Sequence, residues 1–562
     1  MQTQIESKFA KLLAIGLFLI TTIVVAGPVS DPVNVPKMLL LGMVAFGSLP
    51  LLIYRKDSFR NGSVRIPLVT TVFFIIALFV TALTSHASFT QNIYGNLGRN
   101  TGLITFVSFS IIFLVCSTIS SEKNFLMILN SFYAAGFLDV AYGLIQKFFG
   151  DPIPWNNNYG VLLGTFGNPD FAGSFYGLFS AAVFAKILDN KLSNKTRSLW
   201  LIILIASFYC VFLTDTSQGI LVTLVSMSVI AFFFIRGKWG KKLANFYLFG
   251  LFLAFILTLL GMLQKGPLQD YLYKRSVSLR GVYWKAAFDV GKSHFFTGVG
   301  LDSFGDWYRR ARSLKGATWL PGPETTTNTS HNYFLDIFAS GGIILLISYL
   351  CFILLGIICC VMIYKRNVKY DSVESTLIAV FVGFEAQSLI SIPQIGLAVW
   401  GWVFVGLLFA YSHNLNFEKL SSVPRRFSKV TKNIKDSSAG VLAFIGLILG
   451  FIIALPPFSA DLKWTNALKS HNLHQLEISL MPGYFNPLNI DRLLSAVLLL
   501  RDNKLPNQEY FYAKKGVGLN PDKFEAWRIL YTSQLATELD KKEAIYQMKR
   551  LDPLNTNLDK LK

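Results

Sequence analysis

Charge is what this 562-residue chain has least of. Only 15% of its residues are Asp, Glu, Lys or Arg, against roughly 25% in ordinary soluble domains, which excludes a chain that is soluble throughout. Cysteine is also scarce. Cys116, Cys210, Cys351, Cys359 and Cys360 all fall inside apolar runs, which supports neither a disulfide framework nor a loop-borne zinc site. There is no Gly-rich phosphate loop with a Lys, no His-Glu-x-x-His and no Asp-x-Asp in an outer loop, so no metal and no cofactor is expected. What the chain has is apolar length. It is 52% hydrophobic with 49 Phe, and apolar runs recur close to the ~20 residues that cross a bilayer core. The expectation is an all-α, polytopic transmembrane helical bundle. A net charge of +20 suits cytoplasmic loops that face anionic membrane lipid and gives no reason to expect nucleic acid.

Apolar length and polar breaks place about thirteen spans, at roughly 12–27, 37–54, 66–85, 102–120, 125–148, 166–187, 198–214, 219–236, 243–263, 333–364, 375–394, 396–412 and 439–458. The first run, with Lys8 and Lys11 before it, shows no convincing small-residue cleavage pattern and reads as a retained helix. Alternate short loops carry the cations. Arg55, Lys56, Arg60 and Arg65 form one set, Lys186, Lys191, Lys195 and Arg197 the next, and Arg236, Lys238, Lys241 and Lys242 a third. The loops between them are nearly free of Lys and Arg, so the N-terminus is expected in the cytoplasm. The chain then divides into 1–263 with helices 1–9, a large extracytoplasmic basic loop at 264–332, helices 10–13 at 333–458, and an extracytoplasmic helical tail at 459–562. In that tail Asn486-Pro487, Asn520-Pro521 and Asp552-Pro553 recur at intervals of 34 and 32 residues, a period that resembles tetratricopeptide repeats. An irregular helical cap is the other reading of it.

The loop from Gln264 to Ser330 holds ten basic residues against five acids, on the side of the membrane where Lys and Arg are normally scarce. Long loops escape that rule, so the charge is either merely retained or meets an anionic substrate. An outer-face enzyme has no cytosolic nucleotide-activated donor, and its donor must arrive attached to lipid through phosphate or diphosphate. Arg280 is the first candidate to bind it, because a guanidinium pairs bidentately with phosphate oxygens. It precedes the amphipathic stretch Val282–Phe288, which is expected at the interface with aromatics in lipid, and anchoring that helix to headgroups is its plainer role. His331, at the junction of loop and tenth span, is a candidate general base or simply a helix-start hydrogen-bond partner. The turn Thr214–Gly219, with Asp215, Ser217 and Gln218, offers hydrogen bonds to sugar or phosphate, or a helix cap. The segment Gly164–Asp170 reads as a helix entry with exposed amides. Asp139 and Glu385 lie inside spans, where they mark an ion path in a transporter or a buried interhelix pair.

Gly164–Ala172 (GTFGNPDFA), Thr216–Gly219 (TSQG), Arg280 with Trp284, Gly298–Phe304 (GVGLDSF) and Ser330–Gly342 (SHNYFLDIFASGG) follow one another as they do in the O-antigen ligase (Wzy-C) superfamily, which the chain resembles over about residues 10–412. Val35-Pro36-Lys37 and Arg99-Asn100-Thr101-Gly102 also fit. The resemblance implies a GT-C-like bundle with an extracytoplasmic site, transferring glycan from undecaprenyl diphosphate to a glycan, lipid or protein acceptor. It implies catalytic roles for Arg280 and His331 and supporting ones for Asn332, Asp215, Ser217 and Trp284. Many ligases carry Arg where this chain has Gln218. Glutamine supplies hydrogen bonds without charge, which shifts diphosphate binding towards Arg275 or Arg99. The expected activity is that of an inverting, metal-independent ligase at the bacterial cytoplasmic membrane. Polysaccharide polymerase and protein O-oligosaccharyltransferase are alternatives within the class. A transporter or flippase of lipid-linked glycan, or an assembly platform whose tail recruits a protein partner, stands outside it.

Overall fold

A computed structural model describes residues 2–55, 64–85, 87–155, 157–272, 275–318, 322–366, 369–414 and 436–561, with the side chains of 2–3, 271–277, 414 and 436–437 left aside. Among the described residues the regular structure is helical and no strand forms. Each of the thirteen expected spans falls on a helix, from Gln2–Thr22 to Asp436–Ser470. Nine helices among the described residues are long and apolar enough to cross a membrane. Four windows fall short: Leu103–Ser117 has 15 residues and Ser372–Ser388 has 17, Gln2–Thr22 carries Glu6, Lys8 and Lys11, and Pro169–Ile187 carries Asp170 and Lys186 among small and polar residues.

Packing sorts these helices into a centre and a rim. Ile395–Phe409 is buried along its whole length, with the Trp400 indole N–H donating to Thr21 Oγ1 at 2.8 Å. A buried indole finds a partner because an unpaired N–H in an apolar medium costs more than the bond itself gains. Lys241–Met262 lies at the other extreme. Phe246, Phe249, Phe252 and Phe255 face outward from it, as a lipid-facing surface requires.

The Tyr333–Arg366 helix breaks at Gly342, whose φ of +62° is a conformation that favours glycine. The backbone groups around the break are met by the loop. Ile343 N donates to Phe295 O at 2.7 Å, Val299 N to Ala339 O at 3.0 Å, and Gly300 N to Ser340 O at 2.8 Å. The Gly298–Phe304 motif and the Ser340–Gly342 motif, forty residues apart in sequence, are thus two sides of one junction. It seats the basic loop on the bundle.

Within the loop, Arg275–Ser293 packs Ala286, Ala287 and Val290 against Val299, Phe304, Tyr308 and Ala339. This corrects the interfacial expectation for Val282–Phe288. Val282, Ala286 and Ala287 are buried on protein and Tyr283 turns inward, leaving Phe288 outward. A helix with two alanines in its apolar face fits closely against neighbouring side chains but presents little surface to lipid.

The last long helix, Asp436–Ser470, leads into a tail with a separate core around Leu493, Val497, Ala513, Leu530 and Met548. Helices begin at Ile490 and Phe524, and a 3₁₀ turn at Thr556, each three residues after Pro487, Pro521 and Pro553. Asn489 and Thr537 cap two of the tail helices through their side chains. Asp461 ties the tail to the first inter-helix turn, accepting from Ser30 N at 2.8 Å, Asp31 N at 2.9 Å and Arg492 Nη2 at 3.2 Å. Loop and tail meet at this same end of the bundle.

Candidate functional site

A cavity of about 790 Å³ opens where the turn 26–34, the segment 154–171 and the end of the basic loop converge. Its size lies within the ~300–1,000 Å³ typical of small-molecule sites. His331 and Arg99 both line it. His331 is held at φ +54°, a left-handed conformation uncommon outside glycine and one that persists only where the surroundings over-determine it. The neighbouring bonds do so. Ser330 N donates to Asp336 Oδ1 at 2.8 Å, Ser330 Oγ to Asn332 O at 2.8 Å, and Leu335 N to Asn332 Oδ1 at 3.0 Å. Asn332 Nδ2 donates to Leu389 O at 2.9 Å, which pins the junction to the next helix. Asn332 is therefore a support of the histidine's backbone.

The imidazole of His331 stacks on Tyr283, ring centroids 6.0 Å apart and planes 30° apart. Burial lowers its pKa from 6.5 to about 4, and the charges of Arg280 and Arg99 push in the same direction. The ring is neutral at pH 7 and retains a lone pair. Among the described residues Arg280 forms no ion pair, yet its charge bears on both His331 and Asp170. It is the one of the three groups that stands beside the cavity lining rather than in it.

Arg99 is placed by Asp302. Its Nη1 lies 3.7 Å from Asp302 Oδ1, while Asn96 N and Thr101 Oγ1 donate to Oδ2 at 2.7 and 3.1 Å. Burial pushes the Asp302 carboxyl up, against the opposing pull of Arg99 and the Asn96 N–H. Asp302 counted in the sequence only as one acid of the loop. It proves to be the hub that joins the Arg99–Gly102 motif to the Gly298–Phe304 motif, and the order of those motifs was the only sequence signal of it.

Other candidates lie elsewhere. Gln218 is buried, its amide donating to Ser174 Oγ at 3.0 Å and to Asp170 O at 3.3 Å, and it does not line the cavity. Gly219 packs so closely on Gly173 that an added Cβ would meet its Cα at 2.9 Å, so the turn is pressed onto the Pro169–Ile187 helix. Thr216 caps the helix that follows, accepting from Gly219 N at 3.2 Å, and Asp215 and Ser217 face outward. Trp284 is half-buried outside the cavity. Arg275 opens the Arg275–Ser293 helix, and its side chain lies outside the described residues. Asp139 accepts from Thr165 N at 2.9 Å, and Glu385 sits among Tyr349, Phe352, Phe384 and Trp402. Among the described residues, Asp139 lines neither the large cavity nor the pocket that holds Glu385.

Residues 202–350 match the O-antigen ligase family model. That segment contains the Gln218 turn, Arg280, the loop junction, His331 and the helix break. Arg99 and the cavity walls at 26–34 and 154–171 come from outside it. The match supports an enzyme that joins glycans at a membrane, as ligase or polymerase, working on a lipid-linked donor and an acceptor. No curated protein matches the chain.

Proposed function

We propose that this chain transfers a glycan from undecaprenyl diphosphate to an acceptor hydroxyl, at a cavity on the extracytoplasmic face of the cytoplasmic membrane. The observation that carries this reading is the neutral His331, fixed at positive φ in a cavity where Arg280 and Arg99 supply the nearby positive charge. The acceptor oxygen attacks the anomeric carbon as its proton passes to His331. The bond from that carbon to the diphosphate oxygen breaks, and its electron pair leaves with the diphosphate. Arg280 and Arg99 meet the charge that develops there, the electrostatic role that usually supplies the largest share of such catalysis. Because diphosphate is a good leaving group and arginine keeps its charge, the reaction in this reading needs no metal. Attack opposite the leaving group inverts the anomeric centre.

The tail fits the same reading as a helix-pair module at the active end of the bundle. Its helix starts at Ile490 and Phe524 stand 34 residues apart, which supports a tetratricopeptide-like arrangement with faces suited to a protein partner. Purified full-length protein incubated with lipid-linked glycan and candidate acceptors tests the proposal. A ligase or polymerase yields a new glycosidic bond and free undecaprenyl diphosphate. A transporter moves the donor and makes no bond, and that result would overturn the reading.

A further inference from the structure

The cavity that holds His331 also has an aromatic edge that the bond-making step does not use. Trp155 and Tyr159 line it, on the loop after the Glu122–Phe149 helix. Asp151 gathers it by accepting from Tyr142 Oη at 2.7 Å, Gln146 Nε2 at 2.6 Å, Trp155 Nε1 at 2.6 Å and Ile153 N at 2.9 Å. Asn157 accepts from Tyr159 N at 3.1 Å and Gly160 N at 3.2 Å and donates to Val161 O at 2.8 Å. Asn168 Nδ2 then donates to the Tyr159 hydroxyl at 3.2 Å. The polar edge of the indole is consumed by Asp151, so what remains for a ligand is the apolar ring face.

Aromatic residues at a membrane end often serve as interfacial anchors. Phe148 and Phe149, 63% and 86% exposed, already stand at the end of the same helix, whereas Trp155 and Tyr159 share a cavity with His331. A ring face beside hydrogen-bonding groups matches one chemistry closely. A pyranose presents a patch of C–H bonds on one face and hydroxyls around its edge. The rings complement the first, and Asn168 and Gln394, both lining the cavity, complement the second. Cation recognition by these rings is less suited, because Asp31, Asp170 and the two arginines already set the cavity's charge balance.

We propose that Trp155, supported by Tyr159, is a stacking platform for a pyranose ring of the glycan, and that it sets which sugar the enzyme accepts. This rests on the transfer reading above. The ring belongs either to the donor glycan or to the acceptor, and the two sources are separable by kinetics.

The test is steady-state transfer by the full-length protein in nanodiscs, with lipid-linked glycan and acceptor extracted from the membranes of the source cells as probes. Trp155→Ala should raise one KM about tenfold while kcat moves little, since the lost contact is made equally before and during bond formation. Trp155→Phe, which keeps a ring face but cannot donate to Asp151, should stay within about threefold of wild type. A raised donor KM places the sugar on the donor, and a raised acceptor KM places it on the acceptor. Unchanged KM values in Trp155→Ala, with wild type active, overturn the platform and leave the transferase reading standing. Trp155→Phe as impaired as Trp155→Ala also overturns it, since the Asp151 bond would then be what matters. No transfer by wild type overturns both.

Discussion

Two helices of the basic loop, Arg275–Ser293 and Phe304–Ala311, each carry two arginines into different surroundings. On the second, Arg309 reaches Asp552 at 3.0 Å and Glu525 at 3.1 Å. Just beyond it, Arg312 meets both oxygens of Asp552 at 2.7 Å with neither side chain exposed. Arg310 pairs with Asp522 at 3.3 Å, and Lys523 of the tail returns the favour to Asp306 at 3.1 Å. On the first helix, Arg280 forms no ion pair among the described residues and acts instead on His331 and Asp170. The excess of positive charge in the loop therefore has two origins. One part answers the acids of the tail, and a smaller part is left for the cavity. A count of Lys and Arg does not distinguish them, because what separates them lies more than two hundred residues further along the chain.

The two halves are mechanically joined. Tyr308, on the tail-bound helix, meets Tyr283 edge-to-face at 5.6 Å, and Tyr283 stacks on His331. The comparison is broken most directly at the cavity. His331→Ala should lose about 10²–10⁴-fold in transfer, the usual scale for a general base, and His331→Gln should stay slow although it retains hydrogen bonding. Rates near wild type in both variants would remove the base from the account.

On the tail side, Asp552→Asn leaves the buried Arg312 without its carboxylate and takes one of three from Arg309. Breaking a buried pair by removing one partner costs about 3–5 kcal/mol, so the tail should be released from the loop. Limited proteolysis of the full-length protein should cut within 459–562 far faster in the variant. Equal cleavage would mean that the remaining pairs of Arg309 suffice.

The pH dependence sharpens the same division. With the folded pKa of His331 at about 4 and the ordinary value at 6.5, the unfolded chain binds the proton first as pH falls. The stability this group contributes is full above pH 6.5 and is lost between 6.5 and about 4. In catalysis, the acid limb of kcat/KM, which reports the free enzyme, should lie well below 6.5. A bound diphosphate offsets Arg280 and Arg99, so the acid limb of kcat should lie higher. Identical limbs would show that the arginines do not face the donor. The smallest effect is expected at Gln218. Gln218→Leu should cost about 0.5–1.5 kcal/mol of stability per lost hydrogen bond and leave the rate per folded molecule near wild type, measured by thermal unfolding alongside transfer. A large rate loss at unchanged stability would restore the turn to the donor site.

Much of this was legible in the sequence where the signal is local. The apolar windows land on helices because span length is a property of one segment at a time. His331 and Arg280 stand out because each sits beside an apolar run in a polar setting. The helix starts of the tail follow Pro487, Pro521 and Pro553, since a proline ends one helix and leaves a fixed interval to the next. Asp302, Asp552 and Trp155 were not legible, because each takes its meaning from partners that only folding assembles. Gln218 lies away from the cavity for a related reason. The turn that carries it is polar in sequence, yet Gly173 and Gly219 let it press against the Pro169–Ile187 helix, and the amide turns inward.

The division of charge is tested most directly by binding of undecaprenyl diphosphate to the full-length protein in nanodiscs. Arg280→Ala and Arg310→Ala remove the same unit of charge from the same loop. Arg280→Ala should weaken binding by about tenfold or more, as expected for a lost charged hydrogen bond, while Arg310→Ala stays close to wild type. Equal losses in the two variants would contradict the account, since they would make the loop a diffuse attractor of anions with no site of its own.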